Sequence, residues 1–208
     1  DAVAVEAALQ LKDQQKGKVT VITVGDGENV LRKSLAMGAD EAVVVKAEGV
    51  EEYDPFGKAS LLAQAIRKRG AYDLVLCGRH AADWDVGATG AILAEYLGIP
   101  VLTRAKKIEM LDGKLNMERI TANGNETYET TLPALITVSS EMGKARIPSG
   151  WGIIKAAKQP ISTWKEADLG GETVKVAGSN TLLKLYAASN ERKCEMITGE
   201  NAADAAGN

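Results

Sequence analysis

Two cysteines and a single histidine are all the thiol and imidazole ligands in this 208-residue chain. Cys77 lies in an apolar run and Cys194 in a charged stretch, with no CxxC and no Cys/His ligand spacing, which excludes a disulfide framework and a structural zinc site. Basic runs are missing as well: 25 Lys and Arg are mixed among 28 Asp and Glu for a formal net charge of −3, so there is no electrostatic footprint for nucleic acid. No apolar stretch approaches the ~20 residues that cross a bilayer. The opening DAVAVEAALQLKDQQ has neither a charged n-region nor an apolar h-region. The expectation is a soluble protein without direct membrane insertion, cytoplasmic, or in the mitochondrial matrix if the source is eukaryotic. What is plentiful is core material, at 45% hydrophobic residues, enough for one large domain or a domain with an extension.

That material is laid out as helix and strand in alternation. Val3, Ala4, Ala7, Ala8 and Leu11 recur at helical spacing, Gly17 stops the run, and Val19 to Val24 reads as a buried strand. Asn29 to Met37 and Glu41 to Lys46 repeat the unit. A third helix starts at Pro55 and runs to Arg69, followed by a strand over Asp73 to Cys77. This order predicts an α/β fold with a parallel, doubly wound sheet covered on both faces. After Leu97 the pattern changes to apolar–polar alternation over 100–108, 113–123 and 126–132, with Asp112-Gly113 and Asn123-Gly124 as hairpin turns. That is an antiparallel excursion from the parallel sheet. Pro133 to Val138 is a further apolar strand, and Ile147 to Lys158 a loop entering a short basic helix. Domain boundaries are expected at 1–168 for the α/β unit and 169–208 for an extended C-terminal arm with a partly disordered end, NAADAAGN, and a weak element near Leu182 to Tyr186.

The segment with the most chemistry is Gly78 to Gly90, GRHAADWDVGATG, between the strand ending at Cys77 and the helix-like run Ala91 to Leu97. A strand that ends in glycine, then a polar loop, then a helix start presents free backbone N–H groups and a positive helix dipole to an anion. Gly87 would permit close approach of a phosphate, Ala88 and Thr89 would direct N–H groups at it, and Gly90 would keep the helix start uncrowded. Asp83 and Asp85 would repel a phosphate, so they fit better as caps of loop N–H groups or partners of a ribose hydroxyl. Val24 and Gly25 supply a neighbouring strand end for an adenine. A plainer reading stays open, in which both glycines make turns and both aspartates are helix caps. His80 has no nucleophile or second ligand in a motif, and without a GxxxxGK[ST] loop hydrolysis is disfavoured. Trp151, between Gly150 and Gly152, reads either as a residue folded back on the core or as an anchor for a partner.

Several strings together resemble the β subunit of electron transfer flavoproteins: AVEAALQLKD, LRKSLAMGADEAVVV, DLVLCGRHAADWDVGATGAILAEYLGIP, LPALITV and ARIPSGWGIIKAAKQPI with its trailing ADLG. They occur in the family's order over roughly residues 1 to 170, and the C-terminal arm resembles the family only loosely. The resemblance implies an adenine nucleotide alpha hydrolase-like sheet and an electron carrier subunit without catalytic residues. Its partners would be an α subunit bearing the redox-active FAD and a dehydrogenase. Its own nucleotide would be AMP in many members, and FAD in those that bifurcate electrons. Carried over by position, the nucleotide loop falls on Gly78, Arg79, His80, Ala81, Asp83, Asp85, Val86, Gly87, Ala88, Thr89 and Gly90, with Val24 and Gly25 at an earlier strand end. Only Asp1 represents the Asn-containing segment that also lines the family's pocket, so the chain is expected to lack the family's first strand and a following hairpin. His80 replaces the usual Gln, Trp84 sits between the aspartates, and Gly150 stands where the partner-recognition loop usually has Leu, which shifts the anchor towards Trp151. The Cys77–Arg79 run looks like anaerobic, FixA-like members and leans towards FAD. The competing class is a stand-alone adenine-nucleotide-binding protein resembling universal stress proteins, against which the antiparallel excursion and the long arm both argue. An ATP-using transferase would need a basic phosphate clamp that the sequence does not display.

Overall fold

The computed structural model describes residues 1–49, 54–81, 85–111, 113–170, 183–184, 186–187, 194, 196–197 and 199–207. Helix α1 (Ala2–Gln15) starts where the Asp1 carboxylate accepts the Ala4 N–H at 2.9 Å, and ends at Lys16 in the left-handed region. Strand β1 (Thr20–Val24), helix α2 (Glu28–Met37), strand β2 (Glu41–Lys46), helix α3 (Pro55–Arg69), strand β3 (Leu74–Gly78) and helix α4 (Thr89–Leu97) follow in the expected alternation. Asp54 caps α3 by accepting the Gly57 N–H at 3.0 Å, and Pro55 sits in its first turn, where a missing N–H costs nothing.

The excursion is also present, as β4 (Val101–Leu111), β5 (Lys114–Thr121) and β6 (Gly124–Thr130), antiparallel in succession. β7 (Ala134–Val138) then returns between β3 and β4 and runs parallel to both, wholly buried. Its Ile136 and Val138 face α1 with Ala4 and Ala7, and its Leu135 faces α3 and α4 with Ala63 and Leu93. This two-sided cover explains its unbroken apolar sequence.

The hydrogen-bonded ladder differs from a single sheet. It is divided into a three-stranded parallel part, β1-β2-β8, and a five-stranded part, β3-β7-β4-β5-β6. Among the described residues β1 and β3 each have a ladder partner on one side only. Both therefore keep half-exposed residues despite sequences as apolar as TVITV and LVLCG. Helix α3 lies against both parts, with Ile22 of β1 and Val75 and Cys77 of β3 in one cluster beneath it.

Strand β8 (Ser162–Lys165), absent from the sequence reading, extends β2. STWK has no apolar run; its Trp164 joins the cluster of Val45, Leu61 and Leu169, and Lys68 Nζ lies 5.2 Å from its ring. Helix α5 (Gly150–Lys158) packs on α2, held where the Arg32 guanidinium donates to the carbonyl oxygens of Ala156 (2.8 Å) and Gln159. Near the C-terminus, where disorder is expected, a short helix α6 (Ala202–Gly207) forms. The expected element near Leu182 to Tyr186 falls partly outside the described residues, and Leu183, Lys184 and Tyr186 have no regular structure.

Candidate functional site

The polar loop begins where β3 ends. Gly78 pairs with Val138 of β7, and a Cβ at Gly78 would stand 2.6 Å from the Asp1 carboxylate, so glycine is what lets the start of α1 lie over this strand end. The loop then closes on itself. The Asp85 N–H donates to the Ala81 carbonyl at 2.9 Å, the His80 Nε2 is 3.3 Å from Asp85 Oδ1, and Asp85 is held at φ 51°. Asp85 is therefore an exposed partner of His80 and caps no helix, contrary to the plainer reading of the sequence. At Gly87 a Cβ would meet the Arg79 carbonyl oxygen at 3.3 Å, so its missing side chain serves the closure of the loop. Arg79, His80, Ala81, Val86 and Gly87 are exposed, Ala88 and Thr89 half-buried. Asp83 and Trp84 lie outside the described residues.

Helix α4 starts without a side-chain cap. Ala88 occupies the capping position and offers no acceptor, whereas α1, α3 and α5 are capped by Asp1, Asp54 and Ser149. Among the described residues the first-turn N–H groups of α4 thus have no side-chain acceptor, and they carry the positive end of the helix dipole. Helix α2 is built alike: β1 ends at Val24, Gly25 turns at φ 93° with its N–H on the Val45 carbonyl (2.9 Å), and Gly27 starts α2 with no side-chain cap. Both predicted strand ends therefore feed uncapped helices. Gly90 lets α4 press onto β7, for a Cβ there would sit 2.6 Å from Thr137 Cγ2.

Arg104 enters the site from β4 without any signal in the sequence. It adopts φ 67°, in the left-handed region that costs a residue with a side chain about 1–2 kcal/mol. Its strained backbone is held by its N–H on Thr137 Oγ1 (3.0 Å), where the β4–β7 register shifts between Leu102 and Ala105. The run VLTRAKK contains no glycine, asparagine or aspartate that would mark a left-handed residue, so nothing in it announces the irregularity at Arg104. Glu141, just beyond β7, is held below the usual carboxylate range by the Ser139 hydroxyl and its own backbone N–H, and further by the charges of Arg79 and Arg104. Arg79, Arg104 and Glu141 thus share one rim.

Burial pushes the Cys77 thiol up to about 11, so it is a packing residue and no nucleophile. Among the described residues no group of three metal-ligating side chains is present.

Trp151 is separate from this rim, on the first turn of α5. It is 75% exposed, which overturns its reading as a core residue, and Ile147 (91%) and Ile154 (55%) extend the exposed apolar surface. Gly150 is exposed beside it. The base of this segment is fixed to α1. Glu6, 8% exposed, accepts from the Arg146 backbone N–H (3.0 Å), Nε (2.8 Å) and guanidinium NH2 (3.2 Å). Although burial raises it, these bonds and one from Gln10 hold Glu6 below its ordinary value.

The electron transfer flavoprotein domain model matches residues 1–169. Electron transfer flavoprotein subunit beta of Mycobacterium tuberculosis is 38% identical over 184 residues, covering 85% of this chain and 69% of that protein. The corresponding subunit of Thermoanaerobacterium thermosaccharolyticum is 36% identical over 205 residues, covering 96% and 78%. Caffeyl-CoA reductase-Etf complex subunit CarD of Acetobacterium woodii is 36% identical over 213 aligned positions, covering 100% and 81%. No helix among the described residues is long and apolar enough to cross a membrane. A match that spans the α/β unit, its antiparallel excursion and α5 shows that the chain belongs to the electron transfer flavoprotein family, with the β subunits.

Proposed function

We propose that this chain is an electron carrier subunit that holds an adenine nucleotide, AMP or FAD, and pairs with an FAD-bearing α subunit to pass electrons between a dehydrogenase and a redox acceptor. The observation that carries the reading is the uncapped start of α4 at the end of β3, inside a chain of this family. The residues present suit such a ligand. The first-turn amides of α4 can receive a phosphate, and Thr89 adds a hydroxyl donor. Arg79 and His80 are exposed beside them, and Val24 and Gly25 form the strand end proposed for the adenine. Asp83 and Asp85 are proposed as scaffold or ribose contacts, Asp85 through the loop it closes with His80. A bound flavin would supply the redox chemistry. The protein's part is to hold it and tune it through charge and hydrogen bonds. Gly150 and Trp151 are proposed as the partner-recognition segment, 1–168 as the nucleotide-binding unit and 169–208 as an arm, in a cytoplasmic setting. The name of the Acetobacterium woodii relative, a subunit of a reductase-Etf complex, supports a role within such an assembly.

The test is to purify the chain with whatever partner accompanies it, release the bound ligand and record its spectrum. A flavin spectrum assigns a second FAD to this site. AMP alone assigns the ordinary carrier. ATP turnover would overturn both.

A further inference from the structure

Helix α5 turns its small residues inwards and its large apolar residues outwards, the reverse of a helix that packs to support its own fold. Ala156 alone is buried, and a Cβ at Gly152 would stand 2.5 Å from the Ala36 carbonyl oxygen, so this side of α5 lies close on α2. Trp151, Ile153 and Ile154 stay exposed. Nine residues are fewer than the ~12–15 that an isolated helix needs in water, and one buried alanine adds little, so α5 depends on polar fixings at its ends. At its start these are Ser149, whose hydroxyl accepts the Gly152 N–H at 3.0 Å, and the Arg146–Glu6 pair. At its finish the helical pattern assigns the Ala156 carbonyl a donor from position 160, which is proline and has no N–H. The Gln159 N–H reaches that carbonyl at 3.2 Å in a tighter turn, and Arg32 completes it. Its Nη1 donates to the Ala156 carbonyl oxygen at 2.8 Å and also to that of Gln159. Arg32 is free to serve in this way because α2 is fixed independently, by Leu31, Leu35 and Met37 in the core.

We propose that Arg32 is a positioning residue for partner recognition: it supplies the donor that Pro160 lacks, and so holds α5 in the one orientation that presents Trp151 and Ile154 together. This rests on the reading of Gly150 and Trp151 as the recognition segment, and adds the residue on α2, 124 positions before Ala156, that aims it. Trp151 and Ile154 lie three apart and share a helix face only while α5 is wound. An anchor ordered before its partner arrives spares the complex the entropy of ordering it, and apparent affinity falls with the fraction of molecules in which the segment is ordered. Loss of Arg32 therefore weakens recognition without touching the nucleotide loop.

The test uses the chain with any co-purifying subunit retained. Hydrogen–deuterium exchange over residues 153–158 should be at least about tenfold faster in Arg32→Met, which keeps an unbranched side chain and removes its donors, while α1, β2 and α3 stay within about twofold. Arg32→Lys keeps a cationic donor and should recover most of the protection. Electron transfer is then titrated with caffeyl-CoA reductase, the enzyme named for the complex of the Acetobacterium woodii relative. Arg32→Met should raise the KM for this protein about tenfold with kcat and nucleotide content within about twofold, and Arg32→Lys should return KM to within about threefold of wild type. Exchange over 153–158 that Arg32→Met leaves unchanged overturns the proposal, and so does faster exchange with an unchanged KM when Trp151→Ala raises it; both results leave the recognition reading standing. A KM that Trp151→Ala leaves unchanged, or a wild-type complex that passes no electrons with this enzyme, overturns the recognition reading and the proposal with it.

Discussion

Thr137 is where the fold and the candidate site share a single side chain, and a double-mutant cycle with Gly90 measures how tightly. Thr137 is 3% exposed, and its hydroxyl is fixed by the Arg104 N–H at 3.0 Å, so its methyl cannot turn aside without breaking that bond. A Cβ at Gly90 would stand 2.6 Å from that methyl. Overpacking of this kind costs about 1–3 kcal/mol, and the better helix propensity of alanine returns about 0.5–1, so Gly90→Ala should lose about 0.5–2 kcal/mol. Thr137→Ser deletes only the methyl, for about 1 kcal/mol, and keeps the hydroxyl for Arg104. In the double variant one methyl replaces the other in nearly the same volume, and stability should return to within about 0.5 kcal/mol of wild type. The coupling is then about 1.5–3 kcal/mol of the opposite sign to the single losses. Thermal and urea unfolding of the four proteins, stripped of nucleotide because a bound ligand raises apparent stability by mass action, would read this as several degrees in Tm. Additive losses, within about 0.5 kcal/mol, would refute the contact and with it the docking of α4 on β7 that aims its N–H groups.

Gly87→Val should abolish nucleotide retention by prising the loop from the Arg79 carbonyl oxygen, 3.3 Å from where the Cβ would stand; ligand release followed by absorbance checks this, and wild-type retention would show the loop misassigned. Trp151→Ala should leave stability within about 0.5 kcal/mol, since the side chain is 75% exposed, yet raise the KM for a dehydrogenase partner by about tenfold with nucleotide content normal. In a thiol-labelling time course at neutral pH, Cys194 should react quickly and Cys77 only on unfolding, because the first is exposed and the second has its thiol pushed up to about 11. The Glu6–Arg146 pair sets an acid limit. Glu6 is depressed in the folded state, so its contribution is complete above its unfolded value of about 4.3 and fades as pH falls through the lower folded value. Arg146→Met should cost about 2 kcal/mol at pH 7 and reverse that slope, because burial alone raises Glu6 and the variant gains stability when the carboxyl is protonated. Urea unfolding across pH 3–7 decides, and parallel profiles for the two proteins would refute it.

Most of the architecture was legible because it is written in local signals. Gly17, Gly38 and Gly70 punctuate helices, β-branched runs mark buried strands, and glycine turns separate the alternating stretches of the excursion. What escaped has no local expression. β8 is four residues without an apolar run, and it becomes a strand only because β2 offers an edge and Trp164 a cluster to join. Glu6 and Arg146 meet across 140 residues, and neither stands out in a chain with 25% charged residues. At the site the limits are sharper. The sequence marked the loop through its glycines, but it did not show the closeness of Gly87 to the Arg79 carbonyl oxygen, and of its readings of Asp85 the plainer one, a helix cap, fails because Ala88 holds that position of α4. Both points have one source: glycine and aspartate are versatile, and which backbone group each serves depends on neighbours that a linear pattern does not contain. Arg104 is the complementary case, a residue whose type is unremarkable and whose backbone is not. A left-handed arginine requires a partner strand out of register and a threonine to receive its N–H, and those come from β7, more than thirty residues away. Sequence therefore marks a candidate loop by its permissive residues, while a strained residue such as Arg104 emerges only from tertiary register.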